Sequence, residues 1–129
     1  MKEKDIQQIF SRVNKIRGLM ELKLVKGKRY KFSQLAPHQK LALLDCNSDV
    51  GCSHKLSDFS MGEKPVDYFM LKNYPAYVCI CFYEPRKTKM MYYVPIAEYC
   101  AYEGTTGMKS MTEVEVSSIA RFEVDYKGL

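Results

Sequence analysis

Glu21-Leu22-Lys23, set in the short apolar run Leu19 to Val25, is the part of this chain best suited to chemistry. Side chains alternate faces along a strand, so Glu21 and Lys23 point one way while Met20, Leu22 and Leu24 point the other. A carboxylate and an ammonium then stand side by side on a strand whose opposite face is free to be buried. Phosphodiester hydrolysis uses such a pair: the carboxylate holds a divalent metal, and the lysine orients the attacking water and offsets phosphate charge. A solvated cross-row on an amphipathic strand has the same pattern, so the surroundings must decide.

A catalytic Mg²⁺ takes octahedral oxygen ligation from one or two carboxylates, water and phosphate. The best second carboxylate is Asp67, in Lys64-Pro65-Val66-Asp67-Tyr68, at the start of an expected strand. Apolar neighbours make an acid there costly to bury unless it is paired or metal-bound. Glu3 and Gln7, four apart, share one face of a helix and are candidates to orient metal water. Gln39, with His38 at the start of the next helix, has the same candidacy. His38, His54 and Lys64 are candidate phosphate contacts, and Asp58 is an acid nearby without an assigned role.

Charge placement narrows the partner. Ten of the twenty Lys/Arg but only three of the fifteen Asp/Glu fall in residues 1–31. The basic excess therefore surrounds the Glu-x-Lys run, and the remaining chain is slightly acidic. Such a field suits a polyanion, with Lys26, Lys28, Arg29 and Lys31 in one turn and Arg86 and Lys87 in a later loop as phosphate contacts.

The elements that must carry these residues follow from periodicity. Ile6, Ile9, Phe10, Val13 and Ile16 predict an amphipathic helix over 4–16, ended by Gly18. The strand 19–25 comes next, then the turn Lys26-Gly27-Lys28-Arg29, where Gly27 is free to take positive φ. A second helix begins between Ser33 and Pro37 and runs to Cys46, since Pro is tolerated in a first turn. Residues 47–53 read as a polar loop. Strands follow over 66–71 and 76–83, the second apolar on both faces as in a central, doubly covered strand. A basic loop at 84–89 leads to a strand at 90–94 and a short helix at 95–102. Ser110-Met-Thr-Glu113 matches a capping box and predicts a helix from Met111, with a last strand near 122–126. The order α-β-α-β-β-β-α-α is most economically one α/β (α+β) domain over 1–129, a single mixed central sheet flanked by helices.

At 129 residues and 47% hydrophobic composition, the chain has room for one real core and not comfortably for two. Five cysteines without CxxC spacing predict reduced thiols in the cytoplasm. Cys46, Cys52 and His54 lack the tight pairs and fourth ligand of a zinc site, so the thiols read as packing residues. No apolar run approaches a membrane span, and no signal-peptide pattern is expected at the start. The ten tyrosines fall mostly in predicted strands, which favours core packing over a stacking platform for single strands.

Four stretches in order resemble the RecU-like Holliday junction resolvases of the PD-(D/E)XK nuclease superfamily, especially small bacteriophage proteins of that type. They are Met20-Glu-Leu-Lys-Leu24, Phe32 to Leu44 with its His38-Gln39 pair, Tyr77–Tyr83 with Met91-Tyr-Tyr-Val-Pro95, and Met108-Lys-Ser110. Glu3-Lys-Asp-Ile-Gln7 is similar to the helix opening of other nucleases of the superfamily, where a Glu supports the metal. The resemblance implies a metal-dependent endonuclease in DNA recombination and repair. It would cut four-way junctions as a homodimer with Mg²⁺ or Mn²⁺, in the bacterial host cytoplasm if phage-encoded. It implies Glu21 and Asp67 as metal ligands and Lys23 at the attacking water, with Glu3, Gln7 and Gln39 orienting water. The chain departs from the family in one respect: the metal-binding Asp there precedes the Glu-x-Lys strand, whereas Asp67 follows the second helix. The expectation is that the Asp-bearing strand pairs beside the Glu-x-Lys strand in space. The alternative is a catalytically inactive nuclease fold that binds DNA or protein.

Overall fold

A computed structural model describes residues 16–55, 68–84 and 90–125. The expected helix over 4–16 and the expected loop at 84–89 therefore fall almost wholly outside the described residues. Strand β1 is Leu19–Val25, as its alternation requires. Gly18 precedes it with φ of 153°. A side chain at Gly18 would have its Cβ 2.9 Å from the Pro75 carbonyl oxygen and from the Tyr77 ring, so only glycine lets the two segments approach this closely.

The turn after β1 is basic as expected, although Gly27 does not take positive φ. Its last residues form a short strand, β2 (Arg29–Lys31), which runs into a 3₁₀ turn at Phe32–Gln34. Helix α1 is Pro37–Cys46, with Pro37 in its first turn. The expected polar loop is cut short by β3 (Cys52–Lys55), which pairs antiparallel with β4 (Tyr68–Leu71). Strands β5 (Ala76–Phe82) and β6 (Met90–Pro95) follow, and α2 (Ile96–Thr106) outruns its predicted end at residue 102. Gly107, at φ 69°, ends α2 in the left-handed conformation glycine adopts without strain.

The predicted helix start at Met111 is corrected. Residues Ser110–Thr112 form β7, and α3 is Glu113–Ile119, capped by Thr112. Both Ser110-x-x-Glu113 and Thr112-x-x-Glu115 match a capping box. Pairing of β7 with β2 decides between them, because it buries Met111 opposite Tyr30 and so keeps 110–112 extended. Strand β8 is Phe122–Asp125.

The central sheet is mixed and four-stranded, in the order β1-β5-β6-β8. β1 runs parallel to β5, with Glu21 opposite Val78 and Lys23 opposite Ile80. β6 is antiparallel to both β5 and β8. All seven residues of β5 are buried, as a doubly covered central strand demands. One face of the sheet (Val78, Ile80, Val94) packs with Leu43, Tyr99 and Val116 from the helices. The other gathers Tyr77, Cys79, Cys81, Met91 and Tyr93, with Met20, Leu22 and Leu24 of β1 against them. Cys79 and Cys81 thus serve as core residues, and among the described residues Tyr30, Tyr77, Tyr92, Tyr93 and Tyr99 are buried.

Candidate functional site

Glu21 and Lys23 share a face of β1 with Leu19 and Val25, the face on the α1 side of the sheet. Two charges at such a position are costly unless they are paired and hydrogen-bonded. Gln39 supplies the bonds. Its Nε2 donates to Glu21 Oε1 at 2.9 Å, and its Oε1 accepts from Lys23 Nζ at 3.1 Å. Lys23 Nζ also lies 3.6 Å from Glu21 Oε1, so the three side chains close a triangle. Lys23 is nearly sequestered, with 10% of its side chain exposed, whereas Glu21 keeps 32% and opens to solvent.

The backbone fixes which way the Gln39 amide points. The Ala36 N–H, just before α1, donates to Gln39 Oε1 at 3.0 Å. An amide oxygen that accepts from both Ala36 and Lys23 must turn its NH₂ toward Glu21. The N-terminus of α1 therefore orients the amide that holds the strand's two charges. A cleft of about 310 Å³ opens beside the triangle, lined by Leu19, Met20, Glu21, His38, Gln39, Ala42 and Leu43. It is small and partly polar, wide enough for a hydrated ion or one phosphate group.

The proposed metal can be tested against these donors. The described residues supply Glu21 as the carboxylate at the cleft, with no group of three or more His, Cys, Asp or Glu arranged to hold a metal. That set fits one anchoring ligand of a Mg²⁺ otherwise held by water and phosphate, and it needs a second carboxylate to match a two-acid site. Asp67, Glu3 and Gln7, the sequence candidates for that role, lie outside the described residues, as do Lys64, Arg86 and Lys87. The expected pairing beside β1 is not what β4 does. The strand following Asp67 is hydrogen-bonded to β3, and the described partner of β1 is β5. Cys79, behind the site on the other face, is kept protonated by burial and by the Glu21 charge, so it is not a thiolate ligand.

The candidate phosphate contacts among the described residues separate into three groups. Lys26, Lys28, Arg29 and Lys31 are exposed on and before β2, with Tyr30 turned into the core between the last two. Arg29 Nε donates to Ser110 Oγ at 2.8 Å, which joins the basic strand to the Lys109-Ser110 segment. His38 is exposed at the cleft, beside Gln39. His54 lies on β3, in register with Phe69 of β4.

Comparison with protein-family models, curated proteins and solved structures returned no match. The residues themselves carry the functional reading. Two things escaped the sequence: Ala36, whose N–H orients Gln39 and which no side-chain pattern marks, and the Lys40–Glu103 ion pair (2.5 Å) that ties α1 to α2.

Proposed function

We propose that this chain is a metal-dependent, structure-selective DNA endonuclease that cuts four-way junctions in the manner of a Holliday junction resolvase. The observation that supports it most is the Glu21–Lys23–Gln39 triangle, two of whose members, Glu21 and Gln39, line a cleft although they stand 18 residues apart in sequence. Glu21, with Asp67 as its second carboxylate, would hold Mg²⁺ or Mn²⁺. Bound there, the metal would supply Lewis-acid stabilisation of charge on the phosphate.

The protein's own groups do the rest. Lys23, screened from bulk water and aimed by Gln39, places a positive charge where the phosphate gains negative charge and donates a hydrogen bond to the attacking water. That water gives up a proton to solvent and forms the new P–O bond as the bond to the 3′-oxygen breaks, and the departing 3′-oxygen takes a proton from solvent. Gln39 keeps Lys23 from collapsing fully onto Glu21 and so leaves a Glu21 oxygen accessible. The exposed Lys26, Lys28, Arg29 and Lys31 track the backbone, so binding weakens with salt by a log–log slope of about −4 if all four meet phosphates. Two symmetric cuts across a junction call for a homodimer.

A non-catalytic DNA- or protein-binding module is the second reading. It is favoured by the pairing of β4 with β3 rather than β1, which leaves a single described carboxylate at the cleft. One assay separates them: cleavage of a labelled four-way junction and a matched duplex with Mg²⁺, Mn²⁺ or EDTA. Wild type is compared with Glu21→Gln, Asp67→Asn and Lys23→Met. Nuclease action predicts paired, EDTA-sensitive nicks on the junction, reduced by about 10²-fold or more in each variant. Junction binding without cutting in either metal would establish the second reading. Cutting that survives Glu21→Gln would refute the site.

A further inference from the structure

Helix α1 is apolar on two sides. Leu43 and Cys46 are buried against the sheet, while Pro37, Leu41 and Leu44 follow an i, i+4, i+7 row on the outside. Leu41 is 58% exposed and Leu44 37%. A helix face that serves one core needs only one such row, and the second row is unpartnered among the described residues. It forms one wall of an open groove of about 1070 Å³, and Met108, 56% exposed, stands among the residues lining it after α2. The floor is Phe32 and Leu35, both buried in the core. Scattered exposed leucines are ordinary, but a continuous apolar groove of this size marks an interaction surface.

The rim states the charge of what binds. Lys31, Lys40 and Lys109 line the groove against one acid, Glu103. Glu103 is spent on Lys40 at 2.5 Å, and neither Lys31 nor Lys109 has an ion pair among the described residues. The occupant must therefore carry an apolar row flanked by carboxylates. A second copy docked groove to groove would bring two lysine-rich rims together and supply no free carboxylate to Lys31 or Lys109. A nucleic acid would satisfy the lysines and leave the apolar row uncovered. We propose that this groove docks an acidic amphipathic helix of a protein partner, packed along α1 with its apolar row on Leu41 and Leu44 and its carboxylates on Lys31 and Lys109. The apolar row lies on the side of α1 away from the Gln39 cleft, so it stands whether or not the chain cuts DNA, and Lys31 alone is shared with the proposed phosphate contacts.

The test is fluorescence polarisation of the full chain with three labelled helical peptides. One has leucines at i, i+4, i+7 flanked by glutamates, one has each glutamate changed to lysine, and one has the leucines changed to serine. The acidic amphipathic peptide should bind at least about tenfold more tightly than the other two. Leu41→Ser with Leu44→Ser should weaken it by about tenfold or more. Lys31→Glu with Lys109→Glu should turn the preference toward the lysine peptide. Because all four residues are exposed, the variants should melt with the wild type, which separates lost docking from lost fold. Absent binding, equal binding of the three peptides, or binding indifferent to the groove variants would overturn the proposal. So would a dimer in sedimentation that Leu41→Ser dissociates, which assigns the groove to a second copy. Weakened junction binding in the leucine variants, with no peptide effect, would assign it to DNA.

Discussion

Replacing Gln39 by Met keeps the volume of the side chain and removes its hydrogen bonds. Three contacts are lost: the Ala36 N–H loses its acceptor (3.0 Å), Lys23 loses one of its two partners (3.1 Å), and Glu21 loses a donor (2.9 Å). The unmet helix-end N–H should cost about 1 kcal/mol. A hydrogen bond to a charged group contributes roughly 1.5–3 kcal/mol, but these two are not lost in full. Glu21 is a third exposed and takes water instead, and Lys23 keeps Glu21 at 3.6 Å. The sum comes to about 2–3 kcal/mol, which for a chain of this length lowers Tm by very roughly 6–12 °C.

Gln39→Glu makes the complementary test. It preserves acceptors for Ala36 and Lys23 and puts a carboxylate where an NH₂ faced Glu21. Adjacent carboxylates hold a proton to higher pH than either would alone. The folded state then binds more protons than the unfolded one, so the variant's stability should fall as pH rises above the ordinary carboxylate range. Urea denaturation of both variants from that range upward is the assay. A Gln39→Met cost under about 0.5 kcal/mol, together with no added pH dependence in Gln39→Glu, would mean that Gln39 does not organise the charged pair.

Other consequences can be checked by the same denaturation series. Burial raises the Tyr30 phenol from its ordinary 10.0 to about 12, and it raises Tyr99 as well, the two hydroxyls lying 2.9 Å apart. Neutral tyrosines are thus favoured in the folded state, and their contribution is complete below pH 10 and lost as pH climbs toward 12. Tyr30→Phe should flatten that alkaline decline, and an unchanged slope would refute the assignment. Gly18→Ala should destabilise by roughly 1–3 kcal/mol, because φ of 153° and a 2.9 Å contact with the Pro75 carbonyl both oppose a Cβ. Equal midpoints would mean the approach of β1 to that carbonyl is not tight. Thr112→Ala should cost about 1 kcal/mol by removing the acceptor for the Glu115 N–H, whereas Ser110→Ala should cost under about 0.5 kcal/mol. The reverse ranking would place the helix start back at Met111.

Much of this protein is decided locally and is therefore legible in its residues. The alternation of Leu19–Val25 determines a strand with Glu21 and Lys23 on one face, because side-chain direction in a strand follows from backbone pleat alone. The doubly apolar run 76–82 determines a central strand, and Pro37 determines where α1 begins. Where two local signals conflicted, the fold arbitrated. Ser110 and Thr112 both begin capping boxes, and burial of Met111 against β2 selected the second. Long-range pairing was also beyond the sequence: nothing in residues 47–55 announced that they would supply the partner of β4. The site divides along the same line. Sequence named Gln39 as a candidate, but only the packing of α1 over β1 could bring its amide between a carboxylate and an ammonium. Only tertiary structure could show Leu41 and Leu44 left bare, since a leucine's burial depends on what the chain sets opposite it.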